Sequence, residues 1–262
     1  MARYDFRSPR LFVDQPLQGG GSIALDQPQA HYLRDVLRLK PGDRVLVFNG
    51  REGEWQGAID AGGKRTLVVR LEAQIRPQEG GGDLHYLFAP LKRARLDYMA
   101  QKAVEMGVAR LVPVITRHTQ AERVNVARMR ANAIEAAEQC GVLRLPEIAE
   151  PVALAEALGA LAPERVLIFC DEDAPIADPA AALTAAAGAK APAEAPARAP
   201  TLALAVLVGP EGGFAAEERE MLLSRRNIVR LALGPRILRA DTAAVAALAL
   251  VQAVLGDWRG DA

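Results

Sequence analysis

Cysteine is nearly missing: Cys140 and Cys170 are the only two in 262 residues. Two thiols cannot build the disulfide framework of a secreted fold, and a reducing compartment suits them. Both read as small apolar residues rather than nucleophiles. The three histidines, His31, His85 and His118, are scattered, and neither CxxC nor HExxH occurs, so no metal is expected. Aromatic residues are only 5% of the chain, and Trp55 reads as a core or rim residue before a base-stacking one. Long apolar runs are absent too. The most apolar stretch, residues 243–255, is broken by Gln252 and is too short to span a bilayer. The opening Met1-Ala2-Arg3-Tyr4-Asp5 carries charges where a signal peptide needs an apolar run. Secreted, membrane and disordered classes are therefore excluded, and a soluble cytoplasmic chain is expected.

What the chain does have is an ordinary globular composition, 50% apolar and 24% charged, long enough for one large domain or two smaller ones. Its net charge of zero hides an asymmetry. Residues 1–144 hold 22 Lys/Arg against 16 Asp/Glu, and residues 145–262 hold 10 against 16. A basic front half suits a polyanion, although segregation of six charges decides nothing alone.

Residues 10–76 have short, strand-like periodicity. Runs at 11–13, 44–48, 54–59 and 66–71 have the spacing of a small barrel, with Asn49-Gly50 as a turn pair and a helix over 29–39 ended by Pro41-Gly42. The Gly-rich segment 77–82 reads as a linker, which places one domain at 1–76 and another at 83–262. Beyond it strands alternate with helices. Strands are expected at 84–89, 108–116 (Pro113 marking an edge or bend), 165–170, 201–208 and 228–233. Helices are expected at 96–106, 124–140 and 242–255, and the alternation predicts an α/β fold with a mainly parallel sheet. The Ala/Pro stretch 180–200 reads as a solvated loop or helix end.

Two loops could carry chemistry. Leu207-Val208-Gly209-Pro210-Glu211-Gly212-Gly213-Phe214 joins a buried strand to a helix near Ala215. Glycines at a strand's carboxyl end let a ligand approach the backbone. The loop is neither GxGxxG nor GxxxxGK[ST]. Glu211, Glu217 and Glu218 would repel a phosphate, so a neutral or cationic nucleoside such as S-adenosylmethionine fits better. The same loop also serves as a tight turn. The second, Leu231-Ala232-Leu233-Gly234-Pro235-Arg236-Ile237-Leu238-Arg239-Ala240-Asp241-Thr242, has two arginines suited to a developing negative charge, and Asp241 or Thr242 can cap the final helix. Arg10, Arg34, Arg38 and Arg44 concentrate on the small barrel and favour a phosphate-binding face.

Taken together, Val208–Phe214 and Leu233–Arg239 closely resemble the RsmE family of 16S ribosomal RNA methyltransferases, within the SPOUT superfamily. The resemblance covers nearly the whole chain. Arg10-Leu11-Phe12-Val13, His31, Val36-Leu37-Arg38, Pro41-Gly42-Asp43 and Phe48-Asn49-Gly50 look like the family's PUA-like RNA-binding barrel. Lys92, Lys102, Glu105, Gly107, Glu122-Arg123, Glu135-Ala136-Ala137-Glu138-Gln139, Arg144, Pro146 and Glu147 match its later motifs. Departures are Val142 for an arginine, Met129 for a tryptophan, Val104 for a threonine and Ala240-Asp241 for Thr-Glu.

The resemblance implies S-adenosylmethionine-dependent methylation of N3 of a uridine in 16S rRNA of the 30S subunit, uridine 1498 in the family. It also implies a C-terminal trefoil knot, which topology rules alone would reject, and a homodimer. The cofactor would lie on Leu207, Val208, Gly209, Pro210, Glu211, Gly212, Gly213, Leu231, Leu233, Gly234, Ile237, Leu238 and Ala240, with 169–172 as a third wall. RNA would meet Arg10, Arg34, Arg38, Lys92, Lys102, Arg123 and Arg144. N3–H is a poor nucleophile until deprotonated, so Arg236 and Arg239, with Arg144 behind them, are the expected stabilisers of the uracil anion. Glu211 is expected either as a base or as a cofactor contact. A silent RNA-binding protein, a methyltransferase of ribose or transfer RNA, and an enzyme of nucleotide phosphates are the rivals. The intact glycine loop, the full-length motif match and the absent phosphate motif weigh against them in turn.

Overall fold

The computed structural model describes residues 8–61, 66–78, 80–120, 123–175, 178–188 and 202–259. Glu122 and residues 189–200 of the Ala/Pro stretch lie outside them. The chain forms two compact units, Met1–Gly80 with Ile134–Leu145, and Gly81–Ala133 with Pro146–Ala262. Residues 134–145 thus belong with the first unit, which a division of the chain into 1–76 and 83–262 omits.

The first unit is a five-stranded sheet in the order β1 (Arg10–Phe12), β3 (Arg44–Phe48), β4 (Glu54–Ala61), β5 (Leu67–Arg76), β2 (Ser22–Ala24). Only the β1–β3 pair is parallel. Alternate apolar residues such as Val45, Val47 and Val69 turn to one face and bury Val13, Ile23 and Leu33 against them. The Asn49 side chain accepts from the backbone N–H groups of Arg51 and Glu52, each at 3.0 Å, and turns the chain into β4. The helix expected over 29–39 is instead α1 (Gln27–His31) followed by a π-helical turn over Tyr32–Val36. Asp26 starts it early through a capping box with Gln29. Arg38, at φ +59°, ends it in the left-handed position usually given to glycine, and Leu39 N–H closes back to Leu33 O at 2.9 Å.

The expectation that Arg10 belongs to a solvent-facing basic patch is corrected. Arg10 is 6% exposed and its Nε meets Glu54 Oε1 at 2.5 Å, while Arg76 Nε takes the other oxygen at 2.7 Å. A strand residue pointing into a core keeps its charge only if paired, and Glu54 supplies the pair. Glu138 is bound into the same unit, accepting from Phe12 N–H at 2.8 Å. Burial, then the neighbouring Glu135 charge, outweigh that bond and push its carboxyl up to about 7.

In the second unit, the strands β10 (Val166–Cys170), β11 (Leu204–Val208), β12 (Ile228–Leu231), β6 (Leu84–Phe88) and β7 (Arg110–Ile115) run parallel in the order β12-β10-β11-β6-β7. Two-residue strands β8 (Glu147–Ile148) and β9 (Val152–Ala153) cover the outer side of β7 on either side of Pro113. A residue without N–H sits where no ladder bond is asked of it.

One sheet face packs on α2 (Arg93–Glu105), on Met129 of α3 (Val126–Cys140), and on α5 (Pro179–Gly188) and α7 (Ala240–Val254), through Tyr86, Ile168 and Val206. The opposite face packs on α4 (Leu154–Gly159) and α6 (Ala216–Leu223), through Leu87, Leu167 and Leu207. Burial on both faces explains the unbroken apolar runs. The start of the Ala/Pro stretch is helical, forming α5. Neither Asp241 nor Thr242 caps α7; Arg239 holds the cap position and offers no side-chain bond there. Gln252, the interruption in the last apolar run, is 2% exposed and donates to Met106 O at 2.6 Å. Cys140, read as a core residue, is exposed. No helix among the described residues is long and apolar enough to cross a membrane.

Candidate active site

Adjacent strands β12, β10 and β11 end at Leu231, Cys170 and Val208, so the segments 232–239, 171–175 and 209–215 leave from one carboxyl edge. Strand order also reverses here, because β11 and β12 flank β10 on opposite sides. Open parallel sheets bind ligands at such a point.

The 209–215 loop is shaped by two glycines. A side chain on Gly209 would run into the Phe214 ring, and Gly213 has φ +70° with open space in front of it. Gly213 N–H closes the turn to Pro210 O at 2.9 Å. Two side chains missed by the sequence reading hold this loop from outside. His118 Nδ1 lies 3.1 Å from the carbonyl oxygens of both Gly212 and Gly213, and Arg95 pairs with Glu211. Nothing in the sequence separates those two from other polar residues, since both follow neighbouring strands. Glu218 is committed to structure, accepting from Ala215 N–H at 2.9 Å and Arg117 N–H at 2.8 Å.

The 232–239 loop is open. Gly234 has φ +93°, Leu233 and Leu238 are half-buried, and Ile237 is 97% exposed. Arg236 and Arg239 are exposed and make no ion pair among the described residues. The structure thus brings the expected glycine loops to one edge with two uncommitted guanidinium groups. Leu207, Val208, Leu231 and Ala240 are buried at its base.

The expected third wall is corrected in part. Phe169 is a core residue at 1% exposure, and its ring meets Phe214 edge-on at 5.4 Å. Burial, then the Asp171 charge, push the Cys170 thiol up to about 12, so no thiolate forms there. Asp171 is fully occupied by Arg219 and Arg230. Burial opposes its charge, yet those hydrogen bonds prevail and hold the carboxyl below the usual range. The legible signal was Arg230 itself, a charge inside the strand Ile228–Leu231.

Of the expected RNA contacts, Arg34, Arg38 and Arg144 are exposed in the first unit, and Lys92 and Arg123 in the second. Arg34 pairs with Asp35, and Arg144 donates to Gly80 O at 3.0 Å. Lys102 is half-buried, pairs with Glu105 at 2.7 Å and lies over the Tyr98 ring. Trp55 is a rim residue whose Nε1–H donates to Glu52 O at 2.8 Å.

Comparison with known proteins agrees with this architecture. Residues 78–252 match the RNA methyltransferase domain family, and residues 25–72 the RNA methyltransferase PUA domain. The chain is 30% identical to the ribosomal RNA small subunit methyltransferase E of Rickettsia conorii, over 93% of its own length and 94% of the relative's. It is 27% identical to the protein of that name from Buchnera aphidicola subsp. Schizaphis graminum, over 96% and 98%. A putative methyltransferase from Legionella pneumophila, solved with bound cofactor SAM, superposes with TM-score 0.77 at 27% identity, covering 94% and 98% of the two chains. A ribosomal RNA small subunit methyltransferase E from Neisseria gonorrhoeae shares the fold at TM-score 0.81 and 23% identity, over 96% and 100%.

Proposed function

Because the chain belongs to the ribosomal RNA small subunit methyltransferase E family, we propose that it methylates N3 of a uridine in 16S rRNA, the family's uridine 1498, with S-adenosylmethionine as donor. The observation that carries this reading is the shared carboxyl edge of β11 and β12, bearing two open glycine loops and no phosphate motif. The residues fit the donor. Open space before Gly213 and Gly234 leaves the backbone accessible, and no lysine or arginine side chain belongs to the 209–215 loop. The Legionella relative, solved with SAM, supports the same assignment.

S-adenosylmethionine supplies a methyl group made electrophilic by its sulfonium. On the protein side, Gly209 to Gly213 and Leu231 to Ala240 hold the donor. Arg236 and Arg239 would face the uracil, where a guanidinium lowers the cost of losing the N3 proton to solvent water by stabilising charge on O2 and O4. Glu211 pairs with Arg95, which favours a loop-holding role over that of a base. N3 lies on the Watson–Crick edge, so the target base must be unpaired to enter. Arg34, Arg38, Lys92, Lys102, Arg123 and Arg144 serve the RNA backbone. The C-terminal segment is knotted, and the protein works in the cytoplasm as a homodimer on 30S particles. The half-exposed Tyr98 and the cleft of about 590 Å³ that it lines with Ala94, Arg95, Asp241, Thr242, Val245 and Ala246 support α2 and α7 as the dimer face. Light scattering at micromolar concentration should give twice the chain mass.

Mass spectrometry of 16S rRNA from 30S particles treated with the protein and donor should locate one added methyl on that uridine. Gly212→Val places a branched side chain where even a Cβ comes 3.3 Å from His118 Cβ, and it should abolish donor binding in calorimetry while the fold survives. A methyl on ribose, or unchanged affinity in the variant, overturns the reading.

A further inference from the structure

A buried carboxylate that the mechanism does not use links all three segments of the site. Asp171, with a fully buried side chain, starts the segment after β10. Its Oδ1 receives Arg219 Nη1 at 2.8 Å, and its Oδ2 receives Arg230 Nε at 2.6 Å and Arg219 Nη2 at 3.1 Å. Arg219 lies on α6, the helix that follows the 209–215 loop. Arg230 lies on β12, one residue before the strand end that opens the 232–239 loop. Arg219 also sits over the Phe169 ring at 5.9 Å, and that ring meets Phe214, which fills the space beneath Gly209.

We infer that Asp171 is a positioning residue for donor binding: by clamping Arg219 and Arg230 it sets the separation and order of the two glycine loops. Pure strand pairing does not explain the arrangement. Arg230 Nη2 reaches on to the Asp173 carbonyl, and Arg219 Nη2 to the Asp173 carboxylate at 3.3 Å, so both guanidiniums also fix the backbone leaving β10. A core that needed only stability would do as well with apolar residues there, whereas a paired charge fixes one geometry. Binding energy depends on such preorganisation, since a ligand otherwise has to order the loops itself.

This inference rests on the methyltransferase reading, and two measurements on the full-length protein keep their failures apart. Asp171→Asn keeps the shape but removes the charge. Hydrogen exchange without any ligand should rise in 209–215 and 232–239 and stay unchanged in β6 and β7. Calorimetry should show S-adenosylmethionine affinity lowered about ten- to a hundredfold, the loss expected of charge-assisted hydrogen bonds. Single-turnover methylation of 30S particles should fall with the affinity at low donor and recover as donor is raised, because bound donor orders the loops that the clamp no longer holds. A merely structural role would instead raise exchange throughout the unit and lower rate and affinity with the folded fraction. If Asp171→Asn does not fold, Arg219→Lys, which loses the two-pronged contact, should give the same loop-restricted pattern at smaller size. Unchanged loop exchange in a folded variant overturns the positioning role. If the wild type neither binds S-adenosylmethionine nor methylates 30S particles, the methyltransferase reading fails, and the exchange data still judge the clamp.

Discussion

At the scale of single residues, two side chains in the first unit sit in places that chemistry disfavours. Arg38 occupies a left-handed backbone position where glycine would be strain-free, and it makes no ion pair among the described residues. Arg38→Gly should therefore raise stability by about 0.5–1 kcal/mol in denaturant titration, because it relieves about 1–2 kcal/mol of left-handed strain and glycine's greater unfolded-state entropy returns part of that. Glu138 is the second. Its folded-state carboxyl, pushed up to about 7 from an ordinary 4.5, binds a proton that the unfolded chain has already released between those values. Native protein then holds more protons than unfolded, so stability falls as pH rises from about 4.5 to 7 and levels off above. Glu138→Gln keeps an oxygen for Phe12 N–H and should flatten that slope. The gain at neutral pH is about 1–2 kcal/mol once solvent screening is allowed for. A thermal denaturation series across this range checks it, and an unchanged slope would show that another group titrates.

Elements show where the sequence is legible and where it is not. Gln252 breaks an apolar run, and the structure gives the reason: its amide donates to Met106 O and accepts from Asp257 N–H at 3.1 Å, tying α7 to the end of α2. Gln252→Leu leaves both backbone groups without that partner and should cost about 1–3 kcal/mol in chemical unfolding. Strands such as Val166–Cys170 and Leu204–Val208 are readable because burial on both faces leaves a continuous apolar string. Helix α2 is readable from its Leu96, Met99 and Ala103 face and from Gly107, whose φ of +73° closes it. The turn after α1 was not, because a π-helical turn uses the same residues as a helix and differs only in which carbonyl each N–H chooses. Arg10 misled for a related reason. An arginine pattern counts charges, whereas the pairing with Glu54 depends on β1 and β4 both bonding to β3, a long-range fact. The glycine loops were visible as motifs, yet His118, Arg95 and Arg219, which hold them, come from other segments and carry no local signature.

For the whole molecule, the proposed function divides the work between the two units: exposed cations of the first, Arg34, Arg38 and Arg144 among them, would hold polyanion, while the second carries the glycine loops. If so, binding and chemistry separate along the chain. Arg38→Gly should weaken 30S binding and reduce the slope of log affinity against log salt by about one unit, because one phosphate contact is lost. Its S-adenosylmethionine affinity should not move. Arg236→Ala should behave in the opposite way. It removes a guanidinium whose proposed contact is strongest once the uracil carries negative charge, so ground-state binding changes little while the rate at saturating RNA falls. Loss of one such donor costs about a hundred- to a thousandfold in comparable sites. Contacts from these cations to phosphate carry no sequence. Selection must then come from the shape of an assembled particle, and 30S subunits should be methylated far faster than naked 16S rRNA. Filter binding across a salt series, paired with single-turnover methylation of 30S particles by each variant, reads both halves at once. Full turnover by Arg236→Ala would remove that residue from the reaction, and a loss of donor affinity in Arg38→Gly would break the division between the units.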